Sequence, residues 1–279
     1  MPTVKAGMAL PGPIRPTSGW IPVGLLVVAA IVDPLRLPVL GAIAAANAVV
    51  LLRSGRTRPV GPGVAWLACL PLAVSLSVGL LPDPAVAEPG ACDELFPPPV
   101  ARRVVQAGAA LGVVALLALR LGGRRSLGIV MPSDRRVVAL AALSPLLAPI
   151  GIVVGPILAG PFFGEVRLGT VTFAALLPAV LLAVANASLE EVTYRGALQR
   201  WGAPALGIGG AIVAQALVFG SAHLGTDVLA GGPLLWLGMA AAGLVAGIVV
   251  DRTRSLLLVF AVHAAVDVPL ALALTCRVA

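Results

Sequence analysis

Six residues in the last third of the chain carry groups able to move protons or bind a metal. They are the adjacent carboxylates Glu190 and Glu191, Arg195 one helical turn beyond them, the only two histidines, His223 and His263, and Asp267 four residues past the second histidine. Carboxylates and imidazoles are the commonest general acids and bases, and they suit the activation of a water molecule. The spacing matters as much as the residue types. Glu191 and Arg195, Phe219 and His223, and His263 and Asp267 are each four apart, which puts each pair on one face of a helix. Taken singly, two glutamates at the end of an apolar run are usually a solvated helix end, a membrane histidine is usually a packed residue, and an HxxxD pair is usually a structural hydrogen bond. What alters that reading is their convergence within an otherwise apolar segment.

The elements that would position them follow from composition. Of 279 residues, 59% are hydrophobic and 11% charged, with a mean hydropathy of +1.04, far from the composition of water-soluble domains. The expected fold is an all-α, polytopic transmembrane helix bundle of eight or nine helices. Apolar runs of bilayer length, about 20 residues, lie near 63–81, 104–119, 137–158, 170–189, 205–222, 233–250 and 256–275. Shorter runs at 20–32 and 37–52 are separated by "DPLR". A signal peptide is the competing reading of the first run. Asp33, Pro34 and Arg36 interrupt it, and Arg53, Arg56 and Arg58 follow as a stop-transfer flank would. The expected organisation is a loose tail over 1–18, amino-terminal transmembrane helices over 19–158, and a catalytic transmembrane core over 159–279.

Basic residues outnumber acidic ones 19 to 12, and all but Lys5 are arginine. The positive-inside bias accounts for the surplus, so no nucleic-acid partner is expected. With nine spans and a cytoplasmic amino terminus, Lys5, Arg15, Arg53, Arg56, Arg58, Arg120, Arg124, Arg125, Arg135, Arg136, Arg195, Arg200, Arg252 and Arg254 fall on the inner side, and Arg36, Arg102, Arg103, Arg167 and Arg277 on the outer side. The skew toward Arg, Ala, Gly, Pro and Val is that of a GC-rich genome, and the expected location is a bacterial inner or plasma membrane. Cys69 falls within a span. Cys92 and Cys276 share the outer side, where pairing and free thiols are both open. Gly243 and Gly247 form a GxxxG, the usual mark of helix packing.

An ionisable group at mid-bilayer costs on the order of 2.5–3.5 kcal/mol, so Glu190, Glu191, Arg195 and Asp267 would cost about 10 kcal/mol if left unpaired. They must face one another or water. If the helix of span 170–189 continues through "EEVTYRGALQRW" and turns at Gly202–Leu206, Glu190 lies roughly 18 Å before the turn and His223 roughly 25 Å after it, at 1.5 Å per residue. Spans 233–250 and 256–275 turn on the same side, leaving His263 about 10 Å and Asp267 about 16 Å into their helix. All three groups can then share one depth.

"EEVTYR" at 190–195 fits EExxxR, "FGSAH" at 219–223 fits FxxxH, and "HAAVD" at 263–267 fits HxxxN/D. In that order, within apolar surroundings, they resemble the CPBP family of intramembrane proteases, which includes the type II CAAX prenyl endopeptidases and bacterial relatives linked to bacteriocin immunity and processing. The resemblance covers roughly residues 170–275. It implies that Glu190 and His223 activate a water for attack on a scissile carbonyl, that His263 and Asp267 line the region of the oxyanion, and that Glu191 and Arg195 form a supporting pair. Many relatives carry Asn where this chain has Asp267. An ionised aspartate only accepts hydrogen bonds, so Asp267 is expected to orient His263 or help hold a metal.

Two chemistries stay open at this level. Either the glutamate and imidazoles act without metal, or Glu190, His223 and His263 hold a zinc ion with water at the fourth position; no HExxH is present. Two other classes also remain. The same groups in a transporter would relay protons or cations, and in an immunity scaffold they would only hold the bundle together. The favoured reading is an intramembrane endopeptidase opening toward the cytoplasmic half of the bilayer, with a peptide or membrane-protein substrate whose identity, prenylation included, and a subunit number that the sequence leaves open.

Overall fold

Nine helices account for almost all of the described residues, 16–54, 62–79, 98–153, 173–224 and 232–275 of the computed structural model. They are α1 (Trp20–Ile31), α2 (Asp33–Ser54), α3 (Pro62–Val78), α4 (Pro98–Leu121), α5 (Arg135–Leu143, continued to residue 153 through a 3-10 turn at Ser144–Leu146), α6 (Phe173–Glu190, Glu191–Trp201 and Gly202–Leu206), α7 (Ile208–Ala222), α8 (Gly232–Thr253) and α9 (Leu257–Thr275). Five of these segments are long and apolar enough to cross a bilayer, namely Asp33–Ser54, Val100–Leu121, Arg135–Val153, Ala174–Leu206 and Gly232–Thr253, and four shorter apolar helices pack with them. The protein is a polytopic, integral-membrane helical bundle. The amino-terminal tail as far as residue 15, Cys92 and Cys276 lie outside the described residues.

The distribution of side chains is that of a protein in lipid. Leu52 and Leu119 are 81% and 82% exposed, while Glu191 and Arg195 are 1% and 2% exposed. With no water in the hydrocarbon, charge has to be turned inward and matched there. Pro38, Pro71, Pro178 and Pro269 sit inside helices α2, α3, α6 and α9, which neighbouring helices make tolerable in a membrane. Glycine marks the turns that matter. Gly207, at φ 75°, ends α6, and Gly122, Gly123 and Gly128 all have positive φ in the α4–α5 connection, where a side chain would be strained.

Helices α6 and α9 share one of the largest contacts in the bundle, and α7 and α8 the other. The second is a small-residue seam. A Cβ on Gly220 would come within 2.9 Å of the Trp236 carbonyl oxygen and of the Ala240 Cβ, and one on Gly243 would meet the Ala216 Cα at 3.1 Å. Backbones that close give the polar side chains of neighbouring helices access to carbonyl groups. Gln215 on α7 donates to Gly243 O at 2.7 Å and Gln199 on α6 to Gly247 O at 3.0 Å. The GxxxG is therefore packing, and it is also where α6 and α7 are pinned to α8.

Three boundaries depart from expectation: "DPLR" opens α2 and does not lie between two runs, Gly202–Leu206 is helical so that the α6–α7 turn falls at Gly207, and α4 starts early. Helix α4 begins at Pro98, not near 104. Proline is well placed at the first turn of a helix because the missing N–H has no partner there. Arg102 and Arg103 are consequently inside the helix and not on a flanking outer loop.

Candidate active site

The sequence around the adjacent glutamates folds in an unusual way. After Glu190 the helix widens, and Glu191–Trp201 winds as a π-helix. Such windings are rare and short, and they often occur at functional sites. Nine of the eleven residues in this stretch are buried. Thr193 donates its hydroxyl to Leu189 O at 2.7 Å, satisfying a carbonyl near the change of winding.

Glu191 lies at the centre of the network. Its Oε1 accepts from Arg195 Nη1 at 3.0 Å and is 2.7 Å from His263 Nδ1. With Nδ1 held by Glu191, the other ring nitrogen of His263 points to the remaining carboxylates, 3.6 Å from Glu190 Oε2 and 3.4 Å from Asp267 Oδ2. Glu190 is 7% exposed as a residue, and its Oε2 is buried with no hydrogen-bond partner among the described residues. A buried carboxylate oxygen left in that condition is costly and calls for a functional explanation.

The second histidine packs on an aromatic ring. His223 caps α7, and its Nδ1 lies 2.7 Å from Phe219 O, one turn back. Its ring is 4.7 Å from the Phe219 ring, and His223 acts electrostatically on Glu190. Phe219 also meets the edge of Tyr194 at 5.1 Å and the His263 ring at 6.5 Å, and it carries the Arg195 guanidinium 4.3 Å from its centroid. A desolvated cation over an aromatic face gains on the order of 2 kcal/mol. The phenylalanine thus neighbours both imidazoles and helps to keep a buried arginine in place.

All six residues singled out from the sequence belong to this one cluster. The Glu191–Arg195 pair was expected. That Glu191 also orients His263 was not, and in this respect it takes the part expected of Asp267. Two further members escaped sequence reasoning. Asn186, one turn before Glu190, donates from Nδ2 to Asp267 Oδ2 at 2.7 Å; the signal was its i,i+4 spacing to Glu190. Arg103 on α4 lies 3.7 Å from Glu190 Oε1 through Nη2, and its Nη1 donates to Gln106 Oε1 at 2.6 Å. Gln106 in turn donates to Ser75 O and Ser75 Oγ on α3, at 2.9 and 3.0 Å. Placing the start of α4 too late in the chain hid this contact.

Two imidazoles and a carboxylate are suitable zinc donors, and Glu190, His223 and His263 supply them. Their Nδ1 atoms are already held by Glu191 and by a backbone carbonyl, a pattern that commonly fixes metal-binding histidines. Yet no group of three or more His, Cys, Asp or Glu side chains among the described residues has the spacing of a metal site. A zinc ion would therefore need these three side chains to move closer together.

A cavity of about 570 Å³ adjoins the cluster, reaching Ser188, Glu191 and Val192 on α6. No curated protein and no solved structure matches the chain. Residues 172–269, which hold α7 and α8 and most of α6 and α9, match the family model described as type II CAAX prenyl endopeptidase Rce1-like, so that the carboxyl-terminal region of this membrane protein, the one carrying all six of the residues singled out from the sequence, is similar to the CPBP and CAAX-protease superfamily.

Proposed function

We propose that the protein is an intramembrane endopeptidase and that Glu190 is its general base. The observation that carries this reading is the buried, unpartnered Oε2 of Glu190 facing Nε2 of His263 at 3.6 Å. A water held by both atoms would form the apex of a triangle with sides of about 2.8 Å. Glu190 takes a proton from that water, and the oxygen attacks the carbonyl carbon of the scissile bond. The carbonyl electron pair moves onto its oxygen, which develops negative charge beside His263 and Asn186. Collapse of the adduct breaks the C–N bond, and the proton held by Glu190 passes to the leaving amine.

Each neighbour has a task in this scheme. Glu191 holds the His263 ring by Nδ1 so that Nε2 faces the reacting centre. Arg195 compensates the charge of Glu191. Asp267 has no proton to donate when ionised, and the amide of Asn186 supplies N–H groups beside it. His223 shares the proton taken up by Glu190. The apolar shell keeps bulk water from the intermediate, which strengthens each electrostatic contact.

Glu190→Gln tests the reading, since it removes the base while preserving shape. Peptide products found in membranes bearing the wild-type protein should fall by a factor of about 10²–10⁴, with the purified variant eluting and unfolding as the parent does. Metal analysis of the same preparation addresses zinc. Identical peptide profiles for the two proteins would overturn the proposal, and proton-driven flux that survives Glu190→Gln would replace it with a transporter.

A further inference from the structure

We propose that the cavity beside the cluster is a substrate subsite for an apolar peptide segment followed by acidic residues, and that its charge preference is set by Arg124 and Arg125. The inference rests on the proteolytic reading of the adjoining site. It goes beyond that reading because these two arginines lie outside residues 172–269, in the connection between α4 and α5.

The cavity runs from Glu191 and Val192 on α6 to the Arg124–Met131 connection, and Leu257 and Phe260 on α9 complete it. Its volume of about 570 Å³ lies within the range of ligand pockets, roughly 300–1,000 Å³. The walls are mostly aliphatic and aromatic, which suits apolar side chains. The connection that forms one wall is fastened in place. Leu256 N donates to Gly128 O at 3.0 Å and Ser255 Oγ to Val130 O at 2.6 Å, while Trp201 Nε1 donates to Ser126 Oγ at 3.0 Å. A wall tied at three points can select shape with little ordering cost.

Charge and backbone favour a peptide as the occupant. Arg124 and Arg125 are exposed, and neither has a carboxylate partner among the described residues. The one carboxylate that lines the cavity among the described residues, Glu191, is already matched by Arg195 and His263. The cavity therefore presents uncompensated positive charge at one end and oil along its length. The backbone N–H groups of Val130 and Met131 donate to no acceptor among the described residues, as an extended peptide running along the wall would require. The cavity reaches Glu191, which holds His263 by Nδ1, so a bound segment lies against the residue that orients the histidine of the proposed site.

The test is direct binding, which does not depend on turnover. Full-length protein in phosphatidylcholine nanodiscs is titrated into a short fluorescein-labelled peptide containing Leu-Phe-Asp-Asp, and into its Leu-Phe-Asn-Asn counterpart. The Asp peptide should bind about fivefold more tightly, as two exposed ion pairs allow. Arg124→Gln with Arg125→Gln, at exposed positions, should abolish that difference and leave the Asn peptide unaffected. Met131→Asp should weaken both. Equal binding of the two peptides to the wild type, or loss of the Asp peptide when phosphatidylglycerol replaces phosphatidylcholine, would overturn the inference, the latter in favour of an anionic lipid as occupant. Charge-selective binding without Glu190-dependent cleavage would retain the subsite and count against the protease. Glu190-dependent cleavage without charge selectivity would do the reverse.

Discussion

Removing the carboxylate of Glu191 should cost more than removing the guanidinium it pairs with, although they form one ion pair. Both side chains are buried, Glu191 1% and Arg195 2% exposed, with 3.0 Å between Oε1 and Nη1. Glu191→Leu leaves a buried guanidinium whose Nε already has no hydrogen-bond partner among the described residues and whose remaining contacts of note are the Phe219 and Tyr194 rings, at 4.3 and 5.9 Å. An uncompensated buried charge typically costs about 3–5 kcal/mol, a change of at least a hundredfold in the folding equilibrium. Arg195→Met leaves Glu191 with His263 at 2.7 Å, an acidic group with a basic partner still in place. Its cost should be nearer the 1–3 kcal/mol of a lost buried hydrogen bond. The double variant has no orphaned charge from the pair, and buried ion pairs replaced by apolar residues often lose little, so it should be more stable than Glu191→Leu alone. Reversible denaturant unfolding in mixed micelles reads all four corners of this cycle. Activity should follow a different order, because Glu191 and not Arg195 touches His263. Arg195→Met should retain cleavage, while Glu191→Leu and the double variant should lose it even where stability recovers. Equal costs for the two single variants, or cleavage by the double variant, would refute the assignment of Glu191 as the group that holds the histidine.

Arg103→Gln should lower kcat about tenfold and leave KM within about twofold, with Arg103→Lys restoring most of the rate, because the cation lies 3.7 Å from Glu190. Steady-state kinetics on any peptide cleaved in a Glu190-dependent manner measures this. Asn186→Leu should reduce kcat while Asn186→Gln restores part of it, since the role is amide donation beside Asp267; equal loss in both would indicate packing alone. Gly220→Ala should destabilise the protein by about 1–3 kcal/mol, because the new methyl meets the Trp236 carbonyl and the Ala240 backbone nitrogen, at 2.9 and 3.1 Å, and neither can swing away. The same unfolding assay detects it.

The helices were legible because a bilayer imposes one rule on every span, a run of apolar residues long enough to cover hydrocarbon. Leu257–Thr275 and Ile208–Ala222 fall almost where hydropathy placed them. The continuation of α6 past Glu190, which composition alone would have ended at Leu189, was legible, but its turn was not: the expected turn at Gly202–Leu206 is helical, and the positive φ of Gly207 ends the helix. The π-helical winding at Glu191–Trp201 was not legible. It depends on where the buried side chains of α6 find partners on α3, α7 and α9, and nothing in "EVTYRGALQRW" taken as a string distinguishes five residues per hydrogen-bonded turn from four. The same holds for Arg103. A pair of arginines at the edge of an apolar run reads as a membrane flank, and only the packing of α4 on α6 converts one of them into a partner for Glu190.

That distinction bears on where specificity resides. The six residues visible in the sequence sit on α6, α7 and α9, all within reach of the family match. Of the groups that were not visible, Asn186 lies on α6, while Arg103, Gln106 and Ser75 behind Glu190 and the Arg124–Met131 wall beside Glu191 come from α3, α4 and the α4–α5 connection. Reaction chemistry needs a few polar atoms fixed at short distances, and short helical spacings such as ExxxR and HxxxD encode that locally. Choice of substrate needs a surface assembled from separate helices, which no local spacing encodes. Exchanging the 124–131 connection should therefore alter which peptides disappear from the Glu190-dependent profile without silencing cleavage, whereas any change at Glu191 should silence it for all peptides alike. A connection exchange that abolishes all cleavage in a stably folded protein would show that this wall takes part in the chemistry itself.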